Sequence, residues 1–503
     1  MLRLLTLCLL LCPLLTWGQV YFNERYANNG RQSFATSVVP TDSGYVVTGE
    51  NIIDPINVVY GLVFRVLDRQ GQQVRVREYA RPGYSYAAGL GNNLQALSDG
   101  SFVMAGACVL PSGHGAAMLW RFNAQGDTLW TRTYHIGLQS WAFSLCQTPD
   151  GGFALVGEHQ HMTNQLDVLL LRTDSAGQML WYQTYNLWPI NSGKNITLTA
   201  DGGFIIGGSS MQLGTLRQDA YVVKTDALGQ QQWERRYGDG FWSSSGAVPR
   251  PTQDGGYMVL TTVGVPGIGG NNHYQPTLFK LNRQGQLLWR RKIGPAGYLA
   301  EFYVLRELAD GSLVSAGQDP DTAGAIPGRG FLQGVVFKVC ANGDSLWYRN
   351  YKKLTGGTSH NYLRDLTPTP DGGFVGSGFL HPRAPDTGTA DAWVFKIDSA
   401  GYLQAGGAPV TAQCLPLGTT PETGAPDATL QLWPNPSADG LFHIGLTGVA
   451  ELEVVDAMGR LVLRQVAGAE AEAVLDLSRQ PAGVYGLRVL WLDGRAITRK
   501  LVR

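Results

Sequence analysis

The most regular feature of the chain is an alternation of polar turns and apolar runs. An Asp-Gly turn followed by apolar residues stands at Asp99-Gly100-Ser101-Phe102, Asp150-Gly151-Gly152-Phe153 and Asp201-Gly202-Gly203-Phe204. It returns at Asp254-Gly255-Gly256-Tyr257, Asp310-Gly311-Ser312-Leu313 and Asp371-Gly372-Gly373-Phe374, with a looser copy at Asp42-Ser43-Gly44-Tyr45. A second signal, Gly-x-x-x-Trp-x-x-x-Tyr, recurs at Gly126/Trp130/Tyr134, Gly177/Trp181/Tyr185, Gly229/Trp233/Tyr237 and Gly343/Trp347/Tyr351. Gly285/Trp289 places Ile293 at the Tyr position, and Gly71/Tyr79 places Arg75 at the Trp position. Both signals return every 51 to 61 residues, the mark of a repeat architecture.

Each period reads as four short strands. In the fourth repeat they fall near 193–200, 203–209, 219–225 and 231–237. Asp-Gly between apolar runs is a hairpin signal, and Asp-x-x-Gly closes the second tight turn with a glycine free to take positive φ. Trp and Tyr four apart share a strand face and can pack on a neighbouring sheet. A lone four-stranded sheet cannot bury both faces, whereas seven around an axis can, so the pattern predicts an all-β, seven-bladed β-propeller over 19–401. The last repeat has Gly401, but Ala405 and Pro409 stand at its Trp and Tyr positions. Residues 20–26, with Phe22 and Tyr26 in the matching frame, are expected to supply that strand and close the ring.

The register places the tight turns on one face and longer, dissimilar loops on the other. Seven histidines map to the variable face (His114, His135, His159, His161, His273, His360 and His381), as do Tyr84, Tyr86, Trp188, Phe241, Trp242, Tyr274 and Tyr298. Loops on a rigid scaffold carry function, so Tyr84, Tyr86, His159, His161, Trp188, Trp242, His273, His360 and His381 are the candidate ligand-binding residues. The repeated Trp, Tyr, Asp-Gly and Lys (Lys224, Lys280, Lys338, Lys396) read as architecture. His159-Gln160-His161 offers two imidazoles without a third ligand at readable spacing, so no metal and no cofactor are expected. The carboxylates of Asp54, Asp239, Asp319, Asp321 and Asp386 share the face, yet nothing in the sequence pairs them. There is no Gly-x-Ser-x-Gly, His-Glu-x-x-His or phosphate loop, so no catalytic residues are assigned.

Composition narrows the partners. Lys+Arg and Asp+Glu are 39 each, so no basic excess favours nucleic acid. Apolar residues at 44% exclude a disordered chain. Charged residues are scarce at 16%, and the 65 glycines mark tight turns.

Residues 1–18 read as a secretory signal peptide: Arg3, an apolar run from Leu4 to Leu15, then Thr16 and Gly18 at the cleavage positions. The run is too short to span a bilayer, and no later stretch is apolar enough to do so. Export permits disulfides. Cys340 takes the Asp/Asn position of its Asp-x-x-Gly turn, filled elsewhere by Asp68, Asn123, Asp174, Asp226, Asn282 and Asp398, and can pair with Cys414. Cys108–Cys146 is the weaker alternative.

A Gly/Pro/Thr-rich linker (402–428) leads to a strand-rich module, 429–503. Its blocks are Trp433-Pro434-Asn435-Pro436-Ser437, Gly440, Asp456-Ala457-Met458-Gly459-Arg460, Pro481-Ala482-Gly483-Val484-Tyr485 and Lys500-Leu501-Val502. Turns at Asn435-Pro436 and Asp456-x-x-Gly459 between alternating strands predict a small Ig-like β-sandwich. In order and spacing these blocks resemble the type A C-terminal sorting domain of the type IX secretion system. The resemblance singles out Pro434, Asn435, Pro436, Gly440, Asp456, Gly459, Arg460, Gly483, Tyr485 and Lys500 as the sorting motif. It implies Gram-negative export through the periplasm, recognition by the secretion machinery and its processing peptidase, and attachment through surface lipopolysaccharide. The 20–401 repeats likewise resemble the Asp-Gly-Gly-Phe propellers found ahead of such domains. The sequence thus reads as a secreted or surface propeller binding extracellular polysaccharide or protein. The alternative is a polysaccharide-acting hydrolase or lyase on the same face.

Overall fold

The computed structural model describes residues 19–163, 165–212, 218–237, 246–266, 272–295, 300–321, 331–356, 358–407, 410, 414, 431–433, 437, 439–445, 450–456, 461–467, 472–491 and 496–503. The leader, most of the linker, and Asp239, Phe241, Trp242, Tyr298, Pro434, Asn435, Pro436, Gly459 and Arg460 lie outside them. Among the described residues every regular element is a strand, and no helix is long and apolar enough to cross a membrane. The chain divides into two units, Met1–Leu417 and Gly418–Arg503.

The first unit is built of antiparallel four-strand groups in sequence order, the earliest being Ser33–Thr41, Gly44–Asp54, Val59–Asp68 and Gln73–Tyr79. In the second group the first strand is broken into Ser85–Ala88 and Leu94–Ala96, both paired with Phe102–Val109. The third and fourth groups join into one eight-stranded sheet through a parallel bridge between Leu166 and Ile190. In the fourth, the first strand starts at Ile190 because Ile190 and Asn191 extend the ladder to Met211 and Ser210. The last group comprises His360–Pro368, Phe374–His381 and Asp391–Ile397, with Phe22–Tyr26 as its fourth strand. Phe22 pairs with Lys396 and Tyr26 with Ala392.

First strands of successive groups lie against one another in a cycle. Ser33–Thr41 touches Leu94–Ala96, which touches Gln139–Gln147. Ile190–Leu198, Val248–Pro251, Glu301–Glu307 and His360–Pro368 follow, and the last returns to Ser33–Thr41. The arrangement is propeller-like, with its core between groups.

The recurring residues make recurring contacts. Four motif tyrosines donate their hydroxyls to the carbonyl of the next group's motif glycine: Tyr134 to Gly177 at 2.7 Å, Tyr185 to Gly229 at 2.6 Å, Tyr237 to Gly285 at 2.6 Å and Tyr351 to Gly401 at 2.7 Å. The motif tryptophan covers that same positive-φ glycine, so a Cβ on Gly285 would collide with Trp233. Phe22 and Tyr26 treat Gly71 likewise, with Phe22 over its Cα and a 2.6 Å bond from Tyr26 to its carbonyl. Within a group, the turn aspartate is ion-paired with the third-strand cation: Lys224 with Asp201 at 2.8 Å, Lys396 with Asp371 at 2.9 Å. Asp226 shows why the second turn wants an Asp or Asn oxygen, since its Oδ1 accepts from the Leu228 and Gln230 amides, as Asn282 Oδ1 accepts from those of Gln284 and Gln286. Cys340, which cannot do this, is disulfide-bonded to Cys414 with Cα atoms 5.3 Å apart. Cys108 and Cys146 are free thiols, so the weaker alternative is not made.

The second unit pairs Gln431–Trp433, Leu441–Gly445 and Glu472–Asp476 in one antiparallel sheet. Leu461–Ala467, Ala450–Val455, Val484–Trp491 and Ala496–Val502 form another. Phe442, Ile444 and Leu475 from the first sheet share a core with Leu452, Val454, Leu487, Val489 and Leu501 from the second. Gly440 sits at φ 83°, its amide donating to Ser437 Oγ. Gly483 and Arg503 exchange two 2.9 Å backbone bonds. Tyr485 is buried with its hydroxyl on the Pro481 carbonyl at 2.5 Å, Asp456 closes Ala450–Val455, and Lys500 lies opposite Gly486.

Candidate functional site

The face opposite the tight turns is shaped by a recurring irregularity. In five first strands one extra residue interrupts the ladder: Thr36, Phe143, Lys194, Tyr303 and Arg364. A bulge re-aims a side chain that a regular strand would bury or point sideways. These residues and their partly exposed neighbours Phe34, Trp141, Glu301 and Tyr362 do not belong to the repeated contacts.

Several of them converge. The Arg364 guanidinium lies 4.3 Å over the Tyr303 ring and 5.4 Å from Phe379. Tyr362 stacks on Phe379 at 4.4 Å, and Phe34 meets Phe379 edge-on at 4.9 Å. Tyr303 donates to Glu301, which also accepts from Gln318 at 3.2 Å. Leu90, Lys194, Glu301 and Tyr303, from three separate groups, line one small cavity. Leu90 belongs to Gly89–Asn93, the segment that breaks the second group's first strand. It approaches so closely that a Cβ on Gly91 would overlap the Arg364 carbonyl, and one on Gly89 the Phe143 carbonyl.

Two carboxyls on this face are displaced in acidity. Burial pushes Glu50 up to about 7, against the opposing pull of the Ala88 amide, which donates at 3.0 Å, and of Arg364. Burial also raises Glu158, against Ser192 and Lys194. Glu158 lines a pocket of about 330 Å³ with Gln139, Trp141, Gln160, Leu166 and Ile190. A carboxyl held near neutrality, as Glu50 is, suits hydrogen-bond donation or proton transfer.

The expected ligand residues sit on separate groups rather than in one cluster. Tyr84 and Tyr86 stack at 6.5 Å, with Arg81 4.2 Å over Tyr84. Trp188 carries the Arg236 guanidinium at 3.7 Å. His360 and His381 pair across adjacent strands with rings 6.2 Å apart, and burial together with Arg383 holds both below the usual histidine range. The His273 backbone pairs with Val265. Among the carboxylates, Asp54 accepts from Ile56 and Asn57, Asp319 from Tyr348 at 2.6 Å and Asp386 from Gly356 at 3.0 Å. Each is engaged locally.

His159 and His161 do have a third partner, Asp167. Their ligand atoms all lie within 4.8 Å of one another. Asp167 faces His159 across the hairpin, a relation that spacing alone does not reveal. Burial, ahead of the opposing pull of Asp167, lowers His159 below the usual histidine range.

Residues 431–503 match the family model described as Secretion system C-terminal sorting domain. That unit is therefore a sorting domain of the type IX route, and its presence indicates export to the cell surface or secretion. No curated protein matches the chain. Among solved structures, an ulvan lyase, described as a polysaccharide lyase, is 9% identical over 74% of this chain and 95% of its own, with a TM-score of 0.47. An alpha-L-arabinanase from Penicillium chrysogenum is 12% identical over 62% and 93%, with a TM-score of 0.40. Sqt1 from Chaetomium thermophilum is 12% identical over 75% and 100%, at 0.37.

Proposed function

We propose that residues 19–401 form a seven-bladed propeller, displayed or released by type IX secretion, that binds an extracellular polysaccharide at the bulged face. Four-strand groups in sequence, the cycle of first strands and the use of Phe22–Tyr26 as the final strand support the closed ring. The binding reading is carried by one observation. Partly exposed rings and cations occupy the bulges (Lys194, Tyr303, Arg364) and the positions beside them (Trp141, Tyr362), where the repeated architecture has no use for them. Aromatic faces and hydrogen-bonding groups on rigid strands suit a sugar ring, while zero net charge fits neither a polyanion nor nucleic acid. A protein ligand at the same face is the other form of this reading.

The test is binding of the full chain to a panel of neutral and acidic polysaccharides. Trp141→Ala and Tyr362→Ala should each weaken binding at least tenfold while melting within about 2 °C of the parent. A parent that binds no polysaccharide in the panel refutes the reading.

One observation favours catalysis instead: the Glu50 carboxyl, near 7 and close to Arg364, is poised as a proton donor. Glycan turnover abolished by Glu50→Gln would establish a hydrolase or lyase. The tail, proposed as an Ig-like sandwich, brings the secretion machinery and its peptidase as partners, with lipopolysaccharide attachment as the surface anchor. A chain lacking 429–503 should remain periplasmic, and one that still reached the surface would exclude this role.

A further inference from the structure

His159 and His161 lie on strand Phe153–Met162, two apart and so on one face. The antiparallel partner of His159 is Asp167 on Gln165–Thr173. The ladder slips between Gln160 and Met162, making His161 the extra residue of a bulge and turning its ring over the same carboxylate. Asp167 Oδ2 is 3.0 Å from His161 Nδ1 and 3.9 Å from His159 Nδ1, and the two rings stack at 5.7 Å with 15° between planes.

Burial makes the arrangement more than a surface ion pair. Asp167 is 5% exposed and His159 8%. Yet His159 Nδ1, shut away from water and directed toward Asp167, has no hydrogen-bond partner. Buried ring nitrogens are ordinarily satisfied, and one left open beside a carboxylate and a second imidazole lacks a ligand of its own. Gly137 packs so tightly on the opposite edge of the ring that a Cβ there would overlap Nε2, which limits rotation away from Asp167.

We propose that His159, His161 and Asp167 form a binding site for a divalent transition-metal cation of the zinc type. Zinc holds imidazole nitrogen and carboxylate oxygen at about 2.0–2.2 Å, placing tetrahedral ligand atoms ~3.4 Å apart. The two separations from Asp167 Oδ2 bracket that value. Two imidazoles favour a transition metal over calcium or magnesium, which take oxygen ligands. Only three protein ligands are present, and His161 is exposed, so the fourth position faces solvent on the variable face. The site is independent of whether that face binds polysaccharide.

The test is calorimetric titration of the chelator-treated full chain with Zn²⁺, repeated with Co²⁺ while recording visible absorption. One equivalent is expected, with a Co²⁺ band of tetrahedral intensity. The exposed His161→Gln should weaken Zn²⁺ binding at least 30-fold and abolish the band without lowering the metal-free melting temperature, and Asp167→Asn should weaken binding similarly. His381→Gln, on another strand group, should leave the affinity unchanged. No saturable Zn²⁺ binding by the parent, or binding that survives His161→Gln, overturns the proposal.

Discussion

The two ends of the strands in the first unit are built to different standards. At the tight-turn end polar groups are paired many times over. Asp201 accepts from Thr199, Gly203 and Lys224, Asp226 takes two amides, and Tyr185 is tied to Gly229. At the other end buried polar atoms stand without partners, among them His159 Nδ1, the Asn51 amide and Gln318 Oε1, and Glu50 is held near neutrality. Local rules are obeyed through most of the repeated end and broken more often at the irregular one. The repeated end accordingly identifies the propeller-like fold, and the irregular end is where the site is proposed.

The comparison is broken most forcefully by removing a member of the regular end. Deleting residues 19–26 takes away Phe22 and Tyr26, both 8% exposed, together with their contacts on Gly71. It also strips Arg25 from Asp391, whose side chain is 1% exposed, leaving a buried carboxylate unpaired. Loss of one large buried aromatic costs about 3–5 kcal/mol and an orphaned buried charge a similar amount. The truncated chain should therefore unfold at markedly lower denaturant, or fail to fold. Chemical denaturation at the parent midpoint would contradict the closing role of this strand.

A smaller effect, of opposite sign, is expected at the irregular end. Because burial raises Glu50 to about 7, the native state favours its protonated form. Wild-type stability from this group is then complete below the ordinary carboxyl range and is lost as pH rises toward 7. Glu50→Gln keeps an acceptor for the Ala88 amide and cannot ionise. It should match the parent near pH 4 and exceed it above pH 7 by on the order of 2 kcal/mol. Melting curves across that window decide the point, and a constant gap would show that Glu50 does not titrate as described.

What was legible in the sequence follows the same division. Asp-Gly and Gly-x-x-x-Trp-x-x-x-Tyr were readable because every group needs the same turn and the same intergroup contact. Cys340 was readable as an exception to that pattern, and it is bonded to Cys414. The tail was readable because its motif blocks follow one another at the order and spacing of a sorting domain, and 431–503 match that family model. The bulged residues were not, since Phe143, Tyr303 and Arg364 have no adjacent glycine or proline to mark the slipped register, and a single Gly193 beside Lys194 does not distinguish a bulge. Asp167 was invisible for a different reason: it joins the histidines through hairpin pairing, which no fixed spacing encodes. The aromatic and histidine candidates shared a face, but they sit on separate groups.

The smallest prediction sharpens the comparison inside a single motif. Tyr237 and Tyr79 occupy the same position in different repeats. Tyr237 is 8% exposed, with its hydroxyl on the Gly285 carbonyl at 2.6 Å. The Tyr79 hydroxyl is buried without a partner, its ring lying 4.5 Å from that of Trp120. Removing a hydroxyl that satisfies a buried carbonyl costs about 1–2 kcal/mol, whereas removing an unsatisfied one is neutral or favourable. Tyr237→Phe should accordingly lower stability by about 1–2 kcal/mol, and Tyr79→Phe should leave it unchanged or raise it slightly. Equal losses in the two variants, measured by denaturant titration, would mean that the aromatic ring rather than the hydrogen bond makes the repeated contact, and the tyrosine of the motif would be explained by packing alone.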